Sequence, residues 1–196
     1  TEGLVGSEMC IRDRNNIEII VIHYTALSSI SNSLKYLCSK KNKVSSHYLI
    51  SQEGKIYSLV SEKKRAWHAG QSYWRGSTDI NSISIGIELD FSPSDINNKF
   101  TLRLNSALIF LLTKLLKKYR ISNENILGHS DIAPYRKIDP GKFFPWQMLE
   151  NKKLSYRPQF LNKSEIKNSV KQEWLHKNEL NSIKKKILFM LNFIGY

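Results

Sequence analysis

The stretch Ile17-Glu18-Ile19-Ile20-Val21-Ile22-His23-Tyr24 decides the fold class. It is apolar on both faces, as expected of a strand inside a sheet that is covered on both sides. A second run, Ser82–Asp90, alternates instead: Ile83, Ile85, Ile87 and Leu89 share one face, and Ser84, Gly86, Glu88 and Asp90 share the other. Between the two, residues 46–60 (SHYLISQEGKIYSLV) form two strand-like runs around Gln52-Glu53-Gly54, the pattern of a hairpin. Helical spacing appears in Ser31–Lys41, with Leu34, Leu37 and Cys38 on one side. It appears more strongly after Thr101, a good N-cap, where Leu104, Leu108, Leu111, Leu112 and Leu115 recur at core spacing to about Tyr119. The last turn of that helix carries Lys117, Lys118 and Arg120, the sign a helix C-terminus prefers. Strands mixed with helices over 196 residues predict an α/β fold with one core: a central mixed β-sheet flanked by helices.

Chemistry concentrates where these elements end. His23 stands where the buried strand gives out, and residues 128–146 (GHSDIAPYRKIDPGKFFPW) pack a histidine, two lysines, two aspartates and three prolines into one polar loop. Taken singly, His23 reads as a core histidine, and Asp139 before Pro140-Gly141 as the start of a turn. Together, His23, His129 and Asp139 offer two neutral nitrogens and a carboxylate. That is a donor set suited to a catalytic zinc, which keeps its fourth position open.

The formal charge of +13 favours polyanionic partners. No nucleic-acid motif accompanies it, so nucleic acid is not an expected partner. Cys10 and Cys38 make neither a disulfide framework nor a CxxC site. No apolar run approaches the length of a membrane span.

Five segments, VIHYT (21–25), SHYLI (46–50), AWHAG (66–70), SIGIEL (84–89) and the 128–146 loop, occur in the order found in one family. In them the chain resembles the zinc-dependent N-acetylmuramoyl-L-alanine amidases of the type-2 amidase family, with peptidoglycan recognition proteins as more distant kin. The resemblance runs from about Ile17 to Leu149. It implies His23, His129 and Asp139 as ligands of one zinc ion at the sheet edge, Glu88 as general base and Lys137 as the electrostatic partner of the oxyanion. It implies hydrolysis of the amide between N-acetylmuramic acid and L-alanine in peptidoglycan or muropeptides. His68 lies in a motif that borders the family's substrate groove. With Trp67, Tyr73, Trp74 and Arg75 it offers planar surfaces and charge for sugars and carboxylates. His47 has two readings, one as a residue that orients a ligand or stacks in the cleft against substrate and the other as a satisfied structural histidine.

The expected organisation is a non-native leader over 1–14, a catalytic domain over 15–150 and a basic extension over 151–196. The leader contains GLVGSEMCIRDR, which resembles translated sequencing-adapter sequence. The extension holds ten Lys/Arg against three Asp/Glu and a helical stripe near 179–193, and it resembles the first helix of a truncated peptidoglycan-binding module. Such a tail is found in envelope forms of the family rather than the cytosolic recycling form. The reading therefore favours the cell envelope, with a cytoplasmic recycling enzyme as the alternative. A monomer is expected.

Overall fold

The computed structural model describes residues 16–94 and 99–156. The leader and the helix expected near 179–193 lie outside the described residues.

Five strands form one sheet in the order β3-β2-β4-β1-β5. They are β1 (Ile19–Tyr24), β2 (Tyr48–Ile50), β3 (Ile56–Ser58), β4 (Ser84–Leu89) and β5 (Ile126–Gly128). Strand β1 pairs in parallel with both β4 and β5, and β2 pairs in parallel with β4. The hairpin partner β3 alone runs antiparallel, at the edge. All four parallel strands therefore end on the same side, the side on which open α/β sheets gather their ligands.

Each face of the sheet has its own cover, which is why β1 carries no polar alternation. On one face Ile20 and Ile22 of β1, with Ile85, Ile87 and Leu89 of β4, meet a long helix, α3 (Leu102–Tyr119). The five leucines read from the spacing, Leu104, Leu108, Leu111, Leu112 and Leu115, are the ones α3 buries. The Thr101 hydroxyl accepts from Leu104 N–H at 3.1 Å, capping the helix as expected. Each such leucine contributes roughly 1.5–3 kcal/mol of burial, so this face anchors the fold.

The opposite face has a thinner cover. Ile19, Val21 and Leu127 pack against Ala69 and Trp74 of a long loop and against two four-residue helices, α2 (Ile80–Ile83) and α4 (His129–Ile132). Here the alternation read across 82–90 needs correction. The strand begins at Ser84, and Ile83 ends α2 and packs in this second cluster rather than with Ile85 and Ile87. One helical turn immediately before a strand resets the phase of the side chains. Two further helices are α1 (Ile30–Leu37), shorter than its spacing suggested, and α5 (Trp146–Asn151). After α5, Leu154 still packs in the main core, beyond the expected boundary at 150. Among the described residues no helix is long and apolar enough to cross a membrane.

Candidate metal centre and cleft

Register brings the first two functional side chains together. His23 and Glu88 are paired residues on the parallel strands β1 and β4, so both leave the thinly covered face near the strand ends. His129 opens α4 directly after β5. The Asp131 carboxylate accepts from Gly128 N–H at 2.7 Å and fixes that turn. Ser130 N–H donates to Asp139 O at 2.9 Å, closing the loop and returning Asp139 to His129.

The result is a tight triangle. His23 Nδ1 and His129 Nδ1 lie 2.9 Å apart, and each is 3.0 Å from Asp139 Oδ2. All three residues are buried. The hydrogen bonds on the far side of His129 determine where its proton sits. His129 Nε2 faces the Ala69 carbonyl at 2.9 Å, and a carbonyl only accepts, so the neutral ring carries its hydrogen on Nε2. Its Nδ1 is then a bare lone pair aimed at the carboxylate. A lone pair and a carboxylate oxygen at this distance repel unless a cation lies between them, and the three donors are those that zinc takes. The chemistry of the donor set therefore fits a metal ion.

Electrostatics sharpen the picture. Burial is the largest influence on His23 and pulls its pKa down to about 4, against the opposing effect of Asp139, whose carboxylate accepts a hydrogen bond from the protonated ring. Although burial works the other way, a proton on the facing Nδ1 of His129 or His23 holds the Asp139 carboxyl well below the usual carboxylate range. Glu88 moves in the opposite direction. Burial, reinforced by the Asp139 charge and opposed by Lys137, pushes it up to about 8. Its Oε2 has no hydrogen-bond partner among the described residues. A buried carboxyl with a strongly shifted pKa beside a triangle that could hold a metal ion is a candidate proton-transfer group.

Above this triangle opens a cleft of about 490 Å³, lined among others by His23, Trp67, His68, Glu88, Lys137 and Asp139. Of the residues expected to bind substrate, Trp67 and His68 border it. The others sit elsewhere. Trp74 is buried in the second core cluster. Arg75 lies over Trp74, 3.6 Å from Glu124, and Tyr73 is held by its N–H on Ile132 O at 2.8 Å. None of these three lines the cleft. His47 is wholly buried: its Nδ1 accepts from Gly86 N–H and its Nε2 donates to Lys64 O, both at 3.0 Å. That placement matches its structural reading and offers no surface to a substrate.

Two positioning residues went unread in the sequence. Arg136 Nη2 donates to the carbonyls of Ala69 and Gln71, both at 2.7 Å, and ties the 66–72 loop to the loop carrying Asp139. Asn81 Oδ1 accepts from His68 N–H at 3.0 Å and from Ala69 N–H at 2.9 Å. Charge clustering in Tyr135-Arg136-Lys137 was the one available signal for Arg136. Asn81 gave none.

Comparison with known proteins agrees with this architecture. N-acetylmuramoyl-L-alanine amidase AmiD of Escherichia coli is 40% identical over 164 residues, covering 72% of this chain and 55% of the relative. The 1,6-anhydro-N-acetylmuramyl-L-alanine amidase AmpD of Haemophilus influenzae is 42% identical over 106 residues, 54% of this chain and 56% of the relative. The chain thus spans little more than half the length of these curated relatives. The solved structure of E. coli AmiD with anhydro-N-acetylmuramic acid-L-Ala-D-gamma-Glu-L-Lys superposes with a TM-score of 0.74 at 32% identity, covering 97% of this chain and 76% of that one. The family model for N-acetylmuramoyl-L-alanine amidase matches residues 13–142, and the chain belongs to that family.

Proposed function

We propose that the chain is a zinc-dependent amidase that hydrolyses the amide between the lactyl group of N-acetylmuramic acid and L-alanine of the stem peptide, in peptidoglycan or muropeptides. The observation that carries the reading is the buried triangle of His23 Nδ1, His129 Nδ1 and Asp139 Oδ2, within 3.0 Å of one another beside a Glu88 oxygen that has no partner among the described residues. These three residues would hold the zinc. When bound, zinc supplies Lewis-acid polarisation of the scissile carbonyl and acidifies water.

The chain's own residues do the rest. Glu88 takes a proton from the attacking water and hands it to the leaving amine of L-alanine. The Lys137 ammonium, at the cleft wall, offsets the negative charge that develops on the amide oxygen. Trp67 offers an aromatic rim, steadied by the Arg65 guanidinium 4.6 Å from its ring, against which a sugar ring packs. The +13 charge draws in the carboxylates of the stem peptide. An envelope location and action as a monomer complete the proposal.

Mass spectrometry of products tests it. Incubation with an anhydro-muropeptide and, separately, with purified sacculi should release intact stem peptide with a free L-alanine amine and leave the muramyl lactyl carboxylate. Cleavage at a peptide or glycosidic bond, or no cleavage of either substrate, would contradict the assignment.

A further inference from the structure

Four imidazoles form a row under the cleft, His47, His68, His23 and His129, with successive ring centroids 5.7, 5.1 and 4.5 Å apart. The resemblance to the amidases placed His68 at a substrate groove. Its hydrogen bonds give it a second task. Ser84 Oγ lies 2.6 Å from the Ile80 carbonyl, which can only accept, so the single hydroxyl hydrogen is committed there. The same Oγ lies 3.1 Å from His68 Nε2 and must accept, which places a hydrogen on His68 Nε2. A neutral His68 then has a bare Nδ1, 3.0 Å from His23 Nε2. His23 donates to it and keeps its own Nδ1 free of hydrogen, facing His129 and Asp139.

We infer that Ser84 and His68 are positioning residues that set the tautomer of His23 through a one-way relay starting at the Ile80 carbonyl. This rests on the proposed metal centre, since the relay's product is a metal-ready lone pair. The surroundings are built to hold the ring still. Asn81 fixes the His68 backbone N–H. Gly86 lets the ring lie against β4, where a Cβ would fall 2.4 Å from His68 Cγ. Both relay residues are buried, so water does not compete for these bonds. His129 reaches the same tautomer by a different route, through the Ala69 carbonyl. The two histidines are thus prepared independently, and loss of the relay should spare His129.

The test is zinc affinity of the full chain, by competition with a chromophoric chelator, with circular dichroism confirming that each variant is folded. His68→Phe keeps a ring but removes the acceptor, and zinc affinity should fall about 10- to 100-fold, the usual worth of an outer hydrogen-bond partner. His68→Asn keeps an acceptor where Nδ1 was, so it should recover most of that loss. Ser84→Ala should fall between the two. Long-range ¹H–¹⁵N imidazole spectra of the zinc-loaded wild-type chain should show His68 neutral with its hydrogen on Nε2. Folded His68→Phe or Ser84→Ala binding zinc within about threefold of a tight-binding wild type, or His68 carrying its hydrogen on Nδ1, would overturn the relay alone. A wild-type chain that binds no zinc would overturn the metal centre, and the relay with it.

Discussion

Gly86 and His68 meet more closely than any other residue at position 86 would allow: a Cβ there would fall 2.4 Å from His68 Cγ and 2.7 Å from Cδ2. The ring is held by Ser84 and His23, and its backbone N–H by Asn81, so it has little room to yield. Gly86→Ala should therefore destabilise the fold by about 1–3 kcal/mol, the usual cost of overpacking, and weaken zinc binding as His68 tilts away from His23. Urea denaturation and metal competition on the same sample measure both. An alanine variant of wild-type stability and affinity would show that the contact is relieved by a simple shift of the ring.

Glu88 is the group asked to move the proton. Glu88→Gln is nearly isosteric and removes only the acceptor, so zinc content and the melting temperature of the zinc-loaded protein should hold. Turnover of a muropeptide should fall by roughly two to four orders of magnitude. Steady-state kinetics on variant protein of verified metal content decide it. A rate within about threefold of wild type would rule out Glu88 as general base.

The same residue gives the metal-free protein a characteristic pH dependence. Burial raises Glu88 from 4.5 to about 8, so the folded state holds a proton that the unfolded state has released. That cost is absent below 4.5, grows as pH rises and is complete above 8. His23 acts in the acid range. Its pKa is lowered from 6.5 to about 4, so stability falls as pH drops through that window, where the unfolded chain takes up the proton first. Glu88→Gln should remove the alkaline loss, on the order of 5 kcal/mol, and leave the acid loss in place. Added zinc should flatten the alkaline loss in the wild type, because a nearby dication favours the carboxylate. Chemical denaturation across pH 4–9 with and without zinc checks each arm.

Local periodicity carried the parts of the fold governed by neighbours in sequence. The leucine stripe of α3, its Thr101 cap, the hairpin around Gly54 and the two-faced apolar β1 were all readable. The phase of β4 was misread at Ile83, because a helical turn and a strand meet there without a break in apolar composition. What the sequence could not convey is register. That His23 pairs with Glu88, and that His68 reaches His23 from 45 residues away, follow from how strands align. Trp74 shows the same limit: an aromatic in a polar loop reads as a binding surface, yet it fills the core beneath α2. Arg136 and Asn81 escaped notice because each acts on backbone groups of a distant loop.

One titration decides whether His23, His129 and Asp139 hold a metal ion on which hydrolysis depends. Metal-free protein, verified by elemental analysis, is mixed with increasing zinc and assayed on an anhydro-muropeptide. Turnover should be absent without metal and should recover to saturation at one zinc per chain, with Asp139→Ala failing to recover at the same zinc concentration. Full turnover by verified metal-free protein would contradict it.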